Sequence, residues 1–291
     1  MKYKPMLAYP VSSKPIDYSK PVFIQPKLDG VRCLIQFEKG FNPSLDPSFD
    51  DRDKVVAYSR TGKVWKNIQH ILVELKPFFQ KHPNVVLDGE LYNHDFKNDF
   101  EQIISMVRKT KPTPEARVIS AGHVQFHCYD IVNKKMLFNT RSKWISKNLP
   151  TSYCVKHVAT MLVKSEDQAH VDHARNLDSG YEGSIVRLNT PYQCKRSHSL
   201  RKFKEFHDSE AILADWVEGK GKRKGTIGKF IAIDFEGNSF GMPVMDKFKY
   251  LQDNFEVMKT WLGKTATFTY FERTKANSYR HPLFKCIRDY E

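Results

Sequence analysis

Apolar and polar residues alternate along residues 31–37, where Val31, Cys33, Ile35 and Phe37 share one face, and a period of two predicts a β-strand. Short apolar runs at 22–25, 55–59, 85–91 and 124–131 predict further strands of one sheet system. Between them the period lengthens. Ile68, Ile71, Leu72, Leu75 and Phe79 fall at helical intervals behind Asn67, a candidate cap, and Phe100, Ile103, Ile104 and Val107 form a second apolar stripe. Ser165 followed by Gln168 has the form of a capping box ahead of a helix that stops near Gly180. Such stripes are core faces. Residues 41–54, rich in Pro, Asp and Ser, read as a long surface loop between two strands.

Past residue 206 the texture changes. Short β segments at 211–218, 228–235, 238–242, 266–271 and 283–287 accompany one helical candidate at 246–255. That pattern predicts a small barrel, with the oligonucleotide-binding (OB) barrel as first choice and a sandwich fragment as the plainer one.

The 291 residues are 40% hydrophobic, enough to pack one large core or two ordinary ones and to argue against disorder. Charge is one-sided. With 47 Lys and Arg against 33 Asp and Glu, the formal net charge of +14 points to a polyanionic partner such as nucleic acid, or to phosphorylated ligands. Cys33, Cys128, Cys154, Cys194 and Cys286 are odd in number and never spaced as Cys-x-x-Cys, which argues for a reducing compartment and against structural zinc. No apolar stretch approaches the length of a membrane span. A cytoplasmic protein with no membrane partner is expected.

Lys27-Leu28-Asp29-Gly30-Val31-Arg32 offers a lysine nucleophile beside an acid, a turn glycine and a second cation. Cations crowded around a lysine lower its pKa and free the amine to attack carbon or phosphorus. Alone, the string reads more simply as a charged hairpin turn at Asp29-Gly30. Asp88-Gly89-Glu90 breaks an apolar strand, and Gly180-Tyr181-Glu182-Gly183 leads into another that closes with Arg187. Two glycine-flanked acids at strands suit Mg2+ held mainly through water and completed by substrate phosphate. On a strand, Lys202 and Lys204 share one face with Phe203 on the other, so two ammonium groups converge where phosphate charge would sit. The plainer reading is a solvated basic edge strand. Tyr129 is an aromatic able to stack on a base, whereas His127 reads as core or surface. The run Lys220-Gly221-Lys222-Arg223-Lys224-Gly225 lies between the first two barrel strands. Its plainer readings are a solvated hairpin loop or a nuclear-targeting run, and its functional one is a flexible loop whose Lys220, Lys222, Arg223 and Lys224 grip DNA phosphates.

In chain order, Lys27-x-Asp29-Gly30-x-Arg32, Ser59-Arg60-Thr61-Gly62, Asp88-Gly89-Glu90, Tyr129-Asp130, Glu182-Gly183, and Leu200-x-Lys202-x-Lys204 followed by Glu210-Ala211 resemble the motifs of the ATP-dependent DNA ligases. The likeness is to the compact viral and phage type within the covalent nucleotidyltransferase superfamily, and it runs from Pro5 to Arg288. It implies an α+β fold: a nucleotidyltransferase (adenylation) domain of antiparallel sheets with flanking helices over 1–206, then an OB-fold β-barrel over 207–291, hinged near 206–209. It also implies ATP and Mg2+ (or Mn2+) as cofactors, nicked double-stranded DNA as partner, and a monomer. By the same resemblance Lys27 would be the adenylated lysine, Tyr129 the aromatic partner of adenine, Glu90 a ribose- or metal-associated carboxylate, and Glu182 a metal carboxylate. Lys202 and Lys204 would hold the α-phosphate. Arg32 and Arg60 would contact the nucleotide sugar and the 5′-phosphate of the nick, Asp29 would act near the reactive ends, and Arg288 would orient the pyrophosphate leaving group.

The chain departs from the family pattern in three places. Its last motif, around Arg288, resembles the compact form but lacks the Arg-x-Asp-Lys ending of larger ligases, and Lys195-Arg196-Ser197 stands where Gly-Arg-Ser is familiar. No DNA-binding domain is expected ahead of Pro5, nor a zinc or helix-hairpin module. The implied activity is sealing of nicks through a lysyl-AMP and a DNA-adenylate. An RNA ligase or a GTP-dependent capping-type nucleotidyltransferase shares the lysine motif and is the near alternative; a non-catalytic nucleic-acid-binding relative is the distant one. The stretch from Tyr181 to Arg187, and the lysine pair leading into Glu210-Ala211, look more like the DNA ligases.

Overall fold

The computed structural model describes residues 1–39, 54–97, 99–204, 207–270, 272–273 and 277–288. The loop expected at 41–54 therefore lies outside the described residues, apart from Lys54. The chain divides into two compact units, Met1–Lys204 and Glu205–Glu291.

The first unit runs through β1 (Leu7–Pro10), β2 (Val22–Lys27), β3 (Val31–Glu38), β4 (Lys54–Tyr58), α1 (Gln69–Lys81), β5 (Val86–Tyr92), α2 (Phe100–Val107), α3 (Pro114–His123), β6 (Gln125–Ile131), α4 (Phe138–Asn148), β7 (Val155–His157), β8 (Met161–Val163), α5 (Glu166–Asp178), β9 (Gly183–Leu188) and β10 (Arg196–Phe203). The strands form two sheets, ordered β1-β10-β9-β2-β8 and β4-β3-β5-β6-β7, where the apolar runs had suggested one sheet system, and both are mixed rather than antiparallel as expected, because β1 runs parallel to β10 and β6 parallel to β7. The main core lies against the second sheet. Cys33, Ile35, Leu87 and Phe126 pack there with Ile71, Leu75 and Phe79 of α1 and with Ile103 and Val107 of α2. A smaller core sets Val22, Ile24 and Val186 of the first sheet against Ala169 of α5. The alternation at 31–37 is half of the pattern: Leu34 and Gln36 are buried as well, because β3 is covered on both faces.

Local signals hold at some elements and yield to packing at others. The Ser165 hydroxyl accepts from Gln168 N at 3.1 Å and caps α5, which ends before Gly180, a residue at φ +83° that favours glycine. Asn67 does not cap α1. Ile68 holds that position, and the buried Asn67 amide donates to Met106 O at 2.8 Å and Ala116 O at 3.2 Å, tying the start of α1 to α2 and α3.

The second unit contains β11 (His207–Glu218), β12 (Ile227–Asp234), β13 (Ser239–Pro243), α6 (Phe248–Asp253), α7 (Phe255–Lys259), β14 (Thr265–Tyr270), β15 (Glu272–Arg273), β16 (Tyr279–Arg280) and β17 (Leu283–Ile287). One antiparallel sheet, β13-β12-β11-β14-β17, wraps a core of Leu213, Phe230, Met242, Leu251, Met258 and Phe268. The single helix expected at 246–255 is two short ones meeting at Asn254. The ribbon β15–β16 is too short to read from periodicity. Among the described residues no helix is long and apolar enough to cross a membrane.

Candidate active site

Lys27 ends β2 in the first sheet and Val31 opens β3 in the second, so residues 28–30 carry the chain between sheets. The hairpin expected at Asp29-Gly30 does not form. Glycine at 30 is a matter of space: a Cβ there would lie 2.4 Å from Leu91 O and 2.7 Å from Glu90 Cγ. Lys27 pairs in register with Gly183 of β9, and β9 in turn pairs with β10, where Lys202 lies opposite Ile185. This sheet order brings the three charged motifs together. Lys27 Nζ is in contact with Glu182 Oε2, and Lys204 Nζ lies 3.2 Å from Glu182 Oε1. On the opposite face Phe203 stacks on His173 of α5 at 3.8 Å, which holds the end of β10 in place.

The charges act on one another. Burial pushes the Glu182 carboxyl up, but its contacts with Lys27 and Lys204 outweigh that and hold it below the ordinary carboxylate range. Burial, and then the charge of Lys27, push the ammonium of Lys202 down; Lys204 is also lowered, by burial first and with Lys27 adding to it against Glu182. Arg32 does not crowd the lysine as its spacing suggested. Its guanidinium is held bidentately by Asp88, with Nε to Oδ1 and Nη2 to Oδ2 both at 2.6 Å. Asp88 Oδ2 also accepts from Tyr192 Oη at 2.7 Å, and that hydroxyl accepts from Met6 N.

Asp88 and Glu90 lie two apart on β5 and so share a face. Asp-Gly does not break this strand; it shifts the register against β6 by a bulge between Asp88 and Gly89. Tyr129 Oη donates to Glu90 Oε2 at 3.2 Å. Burial pushes the Glu90 carboxyl up to about 7, against the pull of Arg32 and Lys27. The Tyr129 ring packs with Leu28, Tyr92, Val158 and Tyr181. The guanidinium carbons of Arg32 and Arg187 lie 5.1 and 5.3 Å from its centroid. His127 is partly buried, its imidazole pushed down to about 4 by burial and its Nε2 hydrogen-bonded to Gln125. Burial, with the charges of Tyr181 and Asp29, pushes the Tyr92 phenol up, which places Asp29 close to Tyr92.

A raised carboxyl pKa carries a sign. The folded Glu90 binds its proton more tightly than an ordinary carboxylate, near 4.5, so its ionisation costs stability increasingly as pH rises from 4.5 through 7. Glu90→Gln should therefore exceed the unsubstituted protein in unfolding free energy by up to about 3 kcal/mol above pH 7, with the gap closing below 4.5. Denaturant unfolding at pH 4.5 and pH 8 checks this. A pH-independent gap would remove the buried-carboxylate explanation.

Six other expected site residues, Arg60, Arg288, Lys220, Lys222, Arg223 and Lys224, lie outside this cluster. Arg60 sits on the turn after β4, at the rim of a cleft that Arg32 and Glu90 also line. In the second unit Arg288 forms an ion pair with Glu210, and its N–H donates to Thr265 O. Arg223 donates to Val244 O at 2.8 Å and Asp246 O at 3.0 Å, so its guanidinium closes the basic loop onto the barrel; only Lys220, Lys222 and Lys224 among the four cations are exposed. Sequence reasoning missed Asp88 as the anchor of Arg32 and Tyr192 as its support. The Asp-Gly-Glu string carries the signal for the first. Among the described residues no group of three or more His, Cys, Asp or Glu side chains could hold a metal.

The chain is similar to known proteins along much of its length. The DNA ligase of African swine fever virus (isolate Tick/South Africa/Pretoriuskop Pr4/1996) is 32% identical over 183 residues, 60% of this chain and 42% of the viral protein. The DNA ligase of Nitrosopumilus maritimus (strain SCM1) is 23% identical over 251 residues, 80% of this chain and 40% of that protein. The chain thus spans less than half the length of these curated relatives. A solved structure of a Lig E DNA ligase, described as binding DNA with a minimal scaffold, superposes with a TM-score of 0.75 at 21% identity, over 99% of this chain and 100% of that one, and shares its fold. Residues 5–204, well over half of the chain and the whole of the lysine-bearing unit from Pro5 onward, match the ATP dependent DNA ligase domain, and the chain belongs to that family.

Proposed function

We propose that this chain is an ATP-dependent DNA ligase that seals nicks in duplex DNA, working as a monomer. The observation that carries the reading is Lys27 held against Glu182, with Lys204 on the same carboxylate and Lys202 beside them. Lys27 Nζ attacks the α-phosphorus of ATP; an N–P bond forms while the P–O bond to pyrophosphate breaks. The proton that Nζ must lose has the Glu182 carboxylate in contact to receive it. AMP then passes to the 5′-phosphate at the nick, and the neighbouring 3′-hydroxyl displaces AMP. Each step moves negative charge among phosphoryl oxygens, which Lys202 and Lys204 are placed to offset.

Mg2+ fits part of the expected donor set. It is bound through one or two carboxylates together with water and substrate phosphate, and Glu182, kept anionic by its lysines, suits that demand. Bound there it would neutralise phosphate charge. Glu90, pushed up to about 7, suits a hydrogen bond to a ribose hydroxyl better than a cation, and Tyr129 with Leu28 and Val158 offers adenine an apolar surface. Arg288 would have to leave Glu210 to orient pyrophosphate. We read residues 207–291 as an OB barrel that grips the duplex. The test is incubation with α-labelled ATP and Mg2+ followed by nicked DNA. Label should appear on Lys27, pass to the DNA 5′ end and be released on sealing. Labelling by GTP alone, or sealing of nicked RNA alone, would overturn the assignment.

The barrel loop gives a second measurement. Neutralising Lys220, Lys222 and Lys224 should weaken nick binding for every sequence and flatten the slope of log affinity against log salt by roughly 0.9 for each DNA phosphate left without its cation. Arg223→Ala should instead lower the unfolding temperature, since it frees two carbonyls of the 244–246 segment. An unchanged salt slope in the triple variant would return the loop to plain solvated surface.

A further inference from the structure

We propose, resting on the nick-sealing reading, that Lys63, Arg108 and Lys109 form a subsite for the first backbone phosphates of the DNA strand that carries the 5′-phosphate. A cleft of about 750 Å³ opens in the first unit between the turn after β4 and the end of α2. Its inner wall includes Gly30, Arg32 and Glu90, and Glu90 feels the charge of Lys27. A strand lying in this cleft therefore passes near the lysine. Its floor is apolar, with Val64 47% exposed and the Trp65 indole fixed by a 3.3 Å bond from Nε1 to Arg32 O.

The cations are set on both rims by rigid local structure. Ser59 N donates to Lys63 O at 2.7 Å, Lys63 N donates to Ser59 Oγ at 2.9 Å, and Gly62 takes φ +88°, so the turn presents Arg60 and Lys63 in fixed places. Across the cleft α2 closes with Arg108 N on Ile104 O at 3.0 Å, and Arg108 and Lys109 follow. Of the cations lining the cleft, Arg32 is committed to Asp88, and Arg60 is the residue that the family resemblance assigns to the 5′-phosphate of the nick. Lys63, Arg108 and Lys109 are exposed, and among the described residues no acid pairs with them. Two basic residues at the C-terminus of a helix complement its dipole without any ligand, but that leaves Lys63 on the far rim unexplained. Cationic rims over an apolar floor match a sugar-phosphate chain, with phosphates at the edges and deoxyribose carbons over Val64 and Trp65.

The test uses nicked duplexes in which one linkage of the 5′-phosphate strand, first or second from the nick, is a neutral methylphosphonate. Binding is measured without divalent metal, on protein normalised for lysine adenylation. In the unsubstituted protein each neutral linkage should weaken binding severalfold. The Lys63→Ala/Arg108→Ala/Lys109→Ala variant should bind intact nicked DNA roughly tenfold or more weakly and lose its response to those linkages. Lys63→Ala alone, distant from the helix end, should lose part of it. Persistence of the full methylphosphonate effect in the triple variant overturns the subsite. So does a lowered unfolding temperature with unchanged affinity, which would leave the cations as helix-end charges. If the unsubstituted protein neither binds nor seals a nick, the ligase reading itself falls; if it seals and the linkage effects are uncoupled from the three cations, only the subsite does.

Discussion

Lys27→Ala is expected to reduce transfer of labelled AMP from ATP to the protein to background, and with it sealing from ATP. Lys27 is not the only amine on the carboxylate. Lys204 touches Glu182 too, and burial lowers the pKa of both Lys202 and Lys204, a change that favours the nucleophilic free amine. Placement separates them. Lys27 stands at the end of β2, where the chain passes between the two sheets, beside the floor formed by Leu28 and Tyr129, whereas Phe203 pins the Lys202–Lys204 segment to α5 from behind. On the proposed function, Lys27 carries the nucleotide and the other two hold its phosphate. Lys27→Arg should fail equally, since a guanidinium stays protonated. Lys204→Ala should keep the adduct on Lys27 while slowing its formation. Mass mapping of the adduct decides the matter: an AMP found on Lys202 or Lys204 in the unsubstituted protein would reverse the roles.

Much of this site can be read from short stretches, because alternation along one strand is a local property. That is why Lys202 and Lys204 can be set opposite Phe203, and Glu182 at a strand entrance, without a structure. What joins those stretches is not local. Three residues between two apolar strands look the same whether they turn back as a hairpin or cross to another sheet, and only the pairing of β2 with β9 and of β3 with β5 decides which. The bond from Arg32 to Asp88 spans 56 positions in sequence, so a cation that reads as company for Lys27 is in fact neutralised from another strand. Asn67 has the composition of a cap, yet packing of α2 and α3 gives its amide better acceptors in Met106 and Ala116. Arg108 and Lys109 are silent in the sequence for the opposite reason: basic residues closing a helix are ordinary, and the cleft gives them a meaning only when Lys63 stands across it.

Asp130→Asn is expected to destabilise the first unit by about 3–5 kcal/mol, the range for removing one partner of a buried ion pair. The side chain is fully buried on β6, and its carboxylate meets two guanidinium groups: Arg141 at 2.7 and 3.1 Å and Arg187 at 2.7 Å. Arg187 also donates to Gln25 of β2, whose amide returns to Tyr129 O, so this cluster joins the two sheets just behind the Tyr129 ring. Asparagine keeps the shape but removes the charge, and its NH2 must point at a guanidinium, leaving two buried cations without their anion. The loss should be seen in denaturant unfolding of the whole chain, in the transition assigned to the first unit. In whatever fraction remains folded, a displaced Arg187 should disturb Tyr129 and raise the KM for ATP more than it lowers kcat. A variant within about 1 kcal/mol of the unsubstituted protein, with ATP kinetics unchanged, would mean that Arg141 and Arg187 are satisfied by the carbonyls of Met136 and Thr190 and by Gln25 alone, and that the sheets are held together by their apolar cores.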